Sequence, residues 1–255
     1  MTRPILEAEG LCRSFGGVQA LSGVGFAVQP ATIQAIIGPN GAGKTTLLDV
    51  LTGFTRADRG RALFEGQSVL GLPPHRLPGR GIMRTFQTSR LIPGLTVREN
   101  IMLGAHHLTR CRFLADGLGL PSARREEQGL EARADRVIKF LDLVHLAGKE
   151  ARELPAGLQR IVEVGRALAA GPRLLLLDEP AAGLGAAETH DLAGVLLSVR
   201  ASGATVVLIE HNVNLVMGVS DSVLVLDAGR VIADGPPAQV QRDPAVRAAY
   251  LGAGA

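Results

Sequence analysis

The sequence predicts an α/β fold: a buried, mainly parallel sheet flanked by helices, with an antiparallel β region at the N-terminal end and a helical subdomain inserted part-way along the chain. Three observations predict it. Leu174-Leu175-Leu176-Leu177 and the run ATVVLIE at 204–210 are short and densely apolar, as strands buried on both faces must be, and each is followed by helix-like sequence. Apolar residues alternate on either side of Pro30, ahead of a glycine-rich loop, which marks strands near the N-terminus. A charged stretch with apolar residues near helical spacing lies between these β-bearing parts.

In chain order, Val24, Phe26 and Val28 form one alternating run and Ile33, Ala35 and Ile37 a second, with Pro30 at the turn, so short strands are expected before the loop. A strand over 32–37 then feeds the loop, and a helix begins near Lys44. From Leu91 to about Leu154 the texture is helical, with Leu130, Ala134, Val137, Ile138, Leu141 and Val144 near helical spacing. After the two dense strands, SVLVLDAGRVIADG reads as a terminal hairpin turning at Ala228-Gly229. No internal repeat or disordered linker is found. The expected division is a core of 1–87 and 161–255 with the helical subdomain at 88–160, all within one domain.

With 255 residues and 46% hydrophobic content, the chain can bury a sizeable core without staples. Cys12 and Cys111 are too few for a disulfide framework, no CxxC pair offers a zinc site, and a reduced, cytosolic setting is expected. Basic and acidic side chains nearly balance, 27 against 24, and the arginines are scattered, so no nucleic-acid partner is expected. Glu7 and Glu9 stand where a secretory signal needs its apolar stretch. Residues 14–43 carry no charge, but Gln29, Pro30, Gln34, Asn40 and many glycines argue against a membrane span.

The strongest chemical signal is Gly38-Pro39-Asn40-Gly41-Ala42-Gly43-Lys44-Thr45-Thr46, which fits GxxxxGK[ST] between a strand and a helix. Glycines let successive backbone N–H groups approach a triphosphate, and the helix dipole favours the anion. Lys44 would reach the β- and γ-phosphates, and the Thr45 hydroxyl would ligate Mg²⁺. Asp178-Glu179, at the mouth of the four-leucine strand, supplies the second acidic element: Asp178 for the Mg²⁺ shell, and Glu179 to polarise a water. On an extended strand end the two side chains would point apart.

The order of the phosphate loop, Gln87, the LPAGLQ segment at 154–159, LLLLDEP and a histidine after a strand resembles the ATPase subunit of an ATP-binding cassette (ABC) transporter over nearly the whole chain. LTGF at 51–54, GIMRTFQTSRLIPGLTVREN at 81–100, DEPAAGL at 178–184, IEHNVNLVMGVSD at 209–221 and the ending VRAAYLG resemble the branched-chain amino acid uptake branch. The resemblance implies a P-loop NTPase core of the RecA-like kind, with ATP and Mg²⁺ bound. It also implies that Phe15 stacks on adenine, that Gln87 senses Mg²⁺ and couples to the membrane subunits, and that His211 contacts the γ-phosphate. Taken alone, Phe15 is more often a core or turn aromatic, Gln87 a surface amide and His211 a hydrogen-bonded strand-end residue, but a π face for stacking, a neutral ligand and an imidazole donor favour the functional reading; His106 and His107 match nothing and are read as surface residues.

One segment departs from the family's usual LSGGQ. At 154–158 the chain has Leu154-Pro155-Ala156-Gly157-Leu158, so Pro155 brings neither hydroxyl nor N–H, while Ala156 and Gly157 keep their amides at a helix start. Gly185 likewise stands where the family has an Asp or Asn. The resemblance implies two transmembrane permease subunits, a second ATPase subunit and an extracytoplasmic solute-binding protein as partners, at the cytoplasmic face of the inner membrane. A soluble or lipid-exporting ABC ATPase and a weakly hydrolysing nucleotide-binding module stand as alternatives.

Overall fold

The structure, a computed structural model, describes residues 3–86, 91–109 and 121–251. The N-terminal strands are long rather than short: β1 (Leu6–Phe15) and β2 (Val18–Val28) pair antiparallel around Gly16-Gly17, whose φ values of 51° and 89° suit a two-residue hairpin turn. Register shifts along β1 interrupt its alternation, which is why its length is not evident from the pattern.

The third strand, β3 (Ile33–Ile37), leaves this region for a second sheet. With β4 (Arg59–Phe64) and β5 (Gln67–Ser68) the first sheet runs β2-β1-β4-β5. The second gathers β6 (Ile82–Arg84), β7 (Leu174–Asp178), β8 (Thr205–Ile209), β9 (Ser222–Asp227) and β10 (Arg230–Gly235) in the order β10-β9-β3-β8-β7-β6. All its pairings are parallel except the edge pair β9–β10. Every residue of β3, β7 and β8 is buried, so the alternation of Ile33, Ala35 and Ile37 does not mark a solvated face. The terminal hairpin turns at Ala228-Gly229, both at positive φ (43° and 76°).

Helix α1 (Lys44–Leu51) packs with the first sheet on one face of β3, β7 and β8, through Leu47, Leu48, Ile36 and Leu176. In the inserted segment, α2 (Val97–Gly104) opens on a Thr96/Glu99 capping box, and buried Asn100 ties the preceding turn by donating to the carbonyls of Ile92, Leu95 and Thr96. Next come α3 (Pro121–Phe140) and α4 (Ala156–Ala169). Helix α3 stops at Phe140, and Asp142 follows at φ 57°, so the helical period does not reach Val144; that residue opens a short 3₁₀ turn and is exposed. Ala134, Ile138 and Leu141 are buried as the spacing predicts.

On the other sheet face lie α5 (Ala186–Ala201) and α6 (Val213–Val219), and the chain continues through α7 (Pro237–Val240) and α8 (Pro244–Leu251). Helix α4 belongs to two cores. Ile161 and Val162 pack with Ile101 and Ile138 of the inserted helices, whereas Val164 and Ala167 pack with Leu175 and Leu192 of the sheet layer. A boundary at 160/161 therefore falls inside a helix, and α4 joins the inserted helices to the sheet layer.

Candidate nucleotide-binding site

Strands β3, β8 and β7 are neighbours, so the segments leaving their carboxyl ends emerge side by side: the loop 38–46, residues 210–212 and residues 179–185. Open α/β sheets bind ligands at this edge.

Backbone geometry demands glycine twice in the loop. Gly38 has φ 153° and a Cβ there would lie 2.0 Å from the Leu226 carbonyl; Gly43, at φ 100°, would meet the Ala20 carbonyl at 2.4 Å. Gly43 is the N-cap of α1, with no side-chain cap and no acidic residue in the first turn, so the amides at this helix start suit an anion. The terminal hairpin braces the loop: the Gly229 N–H donates to Ala42 O at 3.1 Å and the Ser22 N–H to Gly229 O at 2.8 Å. The Lys44 Nζ donates to the carbonyls of Gly38 (2.7 Å) and Pro39 (3.0 Å). Burial pulls the pKa of Lys44 down, while the charges of Glu179 and Asp178 hold it up, so the two acidic residues lie within electrostatic reach of the ammonium. Thr45, Asn40 and Gly41 are exposed, Pro39 and Thr46 half-buried, and Ala42 buried.

Asp178 ends β7 and is 5% exposed. Burial pushes its carboxyl pKa up, and Arg84 opposes that shift, donating from Nη2 to Asp178 Oδ2 at 2.9 Å. The other end of the guanidinium, Nη1, donates to Asp49 Oδ1 (2.6 Å) and Thr52 Oγ1 (2.9 Å), joining the helix that follows the phosphate loop to the acidic strand. Phe54 and Phe86 stand edge to face at 5.6 Å, with the Arg84 Cζ 5.6 Å and 5.2 Å from their ring centres. Sequence reasoning missed Arg84. The signal was there in part, because the blocks at 51–54 and 81–100 that carry the family resemblance are those that meet around it.

Glu179 is not extended as expected. Its φ of 48° is left-handed, an uncommon conformation for a glutamate, although its N–H still bonds Ile209 O at 2.9 Å. Fully buried Glu210 shapes the neighbouring turn: Oε1 accepts from the Ala181 N–H (2.6 Å) and Oε2 from the N–H groups of His211 (3.1 Å) and Asn212 (3.3 Å). One carboxylate thus pins both the loop after Glu179 and the turn bearing His211. The His211 Nδ1 lies 3.9 Å from Glu179 Oε2, and the ring is largely exposed. Glu210 was also missed: it lies in the block 209–221 that carries the family resemblance, but nothing in its local spacing gives it a role.

Residues 21–182 match the family model described as ABC transporter, and residues 230–255 match the one described as branched-chain amino acid ATP-binding cassette transporter. The chain belongs to the ABC transporter family. It is 41% identical over 253 residues to the high-affinity branched-chain amino acid transport ATP-binding protein BraF of Pseudomonas aeruginosa, covering 99% of both chains. Its identity to LivG of Escherichia coli, whose description is the same, is 38% over 253 residues, again with 99% of each covered. Among solved structures it resembles the ADP conformation of an ATP-binding cassette of an ABC transporter, with TM-score 0.86, 36% identity, and 98% of this chain and 100% of that one covered. A nucleotide-free cassette gives TM-score 0.84 at 35% identity, with 97% and 98% covered. As an ATP-binding cassette of this family, the chain is an ATPase.

Elsewhere in the cassette, Phe15 ends β1 and is 46% exposed; the Arg13 guanidinium sits 4.5 Å from its ring centre. Gln87 lies outside the described residues. Pro155 is the N-cap of α4, with Ala156 exposed and Gly157 buried. The described partner of the Gly157 N–H is Glu188, whose Oε1 accepts from it at 3.0 Å, while Oε2 accepts from the Gly185 N–H at 3.0 Å. These contacts hold the Glu188 carboxyl below the usual carboxylate pKa. His106 and His107 are exposed. Among the described residues no helix is long and apolar enough to cross a membrane.

Proposed function

We propose that this chain powers an importer for branched-chain amino acids or related small solutes, hydrolysing ATP at the shared edge of β3, β8 and β7. The observation that carries the catalytic reading is the convergence there of the loop 38–46, Asp178-Glu179 and the His211 turn. The relatives named as branched-chain amino acid transport proteins support the solute class.

In this reading the first-turn amides of α1 and the loop N–H groups bind the phosphates, and Lys44 exchanges its two carbonyl contacts for phosphate oxygens. The phosphate-loop residues Gly38, Pro39, Asn40, Gly41, Ala42, Gly43, Thr45 and Thr46 frame that site. Thr45, Asp178 and Gln87 would hold Mg²⁺, which supplies neutralising charge during phosphoryl transfer. The residues fit: an exposed hydroxyl stands at a helix start, and a buried carboxylate has one cation, Arg84, already supporting its charge. Glu179 orients and deprotonates the attacking water, His211 donates to the terminal phosphate, and Phe15 stacks on the adenine. Glu210 and Arg84 position these groups through the loop after Glu179 and through Asp178.

The partners in this reading are two permease subunits, a second ATPase and a solute-binding protein, with the chain peripheral at the cytoplasmic face of the membrane. The Pro155–Gly157 segment closes over ATP held by the second ATPase, and helix α4, shared between two cores, carries closure to the inserted helices. Deleting the chain from cells tests the solute class. Energy-driven uptake of leucine, isoleucine or valine should be lost, and unchanged uptake of all three would remove this class.

A further inference from the structure

The segment 154–158, the family's signature position, offers few donors for a phosphate. Pro155 has no N–H, and Gly157 is buried beneath a carboxylate. That carboxylate is Glu188, 31 residues further along the chain, bonded to the Gly157 N–H at 3.0 Å. The approach is close enough to dictate the residue type: a Cβ on Gly157 would meet Glu188 Cγ and Oε1 at 2.8 Å and Cβ at 2.9 Å. No positive φ requires glycine at 157, so in this structure it is the nearness of Glu188 that excludes a side chain there. The other oxygen holds the Gly185 N–H at the start of α5, so a single side chain ties the loop after Asp178-Glu179 to the signature helix.

We propose that Glu188 is an intramolecular stand-in for the nucleotide's terminal phosphate, seated on the Gly157 amide until ATP held by the second ATPase subunit displaces it. The proposal rests on the reading above in which the Pro155–Gly157 segment closes over ATP held by the second ATPase. An N–H at a helix start serves one close anionic acceptor, and two anions at contact distance on the same amide repel each other. Closure must therefore move Glu188 Oε1 off the Gly157 amide, and Oε2, bonded to the Gly185 N–H, links that movement to the loop after Glu179. Glu188 acts as a positioning residue that sets the ATP concentration at which closure occurs, and it does not touch the reacting atoms.

The test uses the complex purified with this chain, carrying Glu188→Ala or the isosteric Glu188→Gln. Replacing a charged acceptor shifts competition by roughly 3- to 10-fold, since the phosphate recovers part of the bond that is lost. Half-saturating ATP should fall by about that factor in the alanine variant and by less in the glutamine variant, which keeps a neutral acceptor, while maximal turnover changes less than about 2-fold. Amide hydrogen exchange at Gly157 in the nucleotide-free complex should accelerate in the same order. Unchanged or raised half-saturating ATP in a glutamine variant whose melting temperature is preserved would overturn the proposal and leave Glu188 a helix cap. Glu179→Gln in the same preparation reports separately on the ATPase reading. It should remove turnover whatever Glu188 does, and if it does not, the failure lies in that reading.

Discussion

Two regions built around a helix start behave in opposite ways. At α1 the backbone is shaped for an anion: glycines are forced by nearby carbonyls, the helix start has no side-chain cap, and a lysine sits inside the loop. At α4 the N-cap is a proline, and the buried Gly157 amide two residues on already has a carboxylate from its own chain. In the proposed reading the phosphate-loop half is complete within this chain, whereas the 154–158 segment lacks the serine of the family pattern and has its Gly157 amide already bonded to Glu188. Amides at a helix start do not by themselves make two sites equivalent; what already occupies the amides decides.

The largest expected effect breaks the first region structurally. Arg84→Met removes the cation between two carboxylates and leaves Asp178 buried without its partner, which should destabilise the fold by about 3–5 kcal/mol. Urea unfolding would show it. A midpoint close to that of the unaltered chain would mean that Asp178 is held by other groups. Next in size, Lys44→Ala should weaken ATP binding by about 10- to 150-fold, the worth of a hydrogen bond to a charged group, measured by equilibrium titration. Unchanged affinity would remove the phosphate-loop assignment and with it the contrast between the regions.

The smallest effect sharpens the contrast from the other side. Pro155→Ser restores a hydroxyl where the backbone, at φ −55° and ψ 155°, already suits an N-cap. Stability should rise by about 0.5–2 kcal/mol from capping alone, and turnover of the complex should rise several-fold if the signature half limits it. A rise in melting temperature without a gain in turnover would assign Pro155 a purely structural role.

How much of this was legible in the sequence follows from how far apart the partners lie. The loop 38–46, Asp178-Glu179 and the Ala228-Gly229 turn are contiguous patterns whose geometry is local, and the buried runs that became β7 and β8 declare themselves by composition. Arg84, Glu210 and Glu188 act through partners 94, 29 and 31 residues away, and no spacing rule connects them. Local strain was equally silent: nothing in LLLLDEP signals that Glu179 adopts a left-handed φ, and the groups bonded on either side of that turn, Ile209 O and Glu210 Oε1, belong to β8 and the residue after it. Val144 shows the converse error, an apolar residue at helical spacing that lies beyond the point where Asp142 ends the helix.

In the proposed mechanism the phosphate loop, Asp178 and Glu179 of this chain form one catalytic half, with Glu179 orienting the water. Glu179→Gln in the assembled complex tests it most directly, with ATP binding and ATP turnover measured on the same preparation. ATP affinity should stay within about 3-fold while turnover falls by at least 10²-fold, the loss expected when a general base is removed but shape is kept. Turnover close to that of the unaltered complex, with binding intact, would contradict the account and place the water on another group.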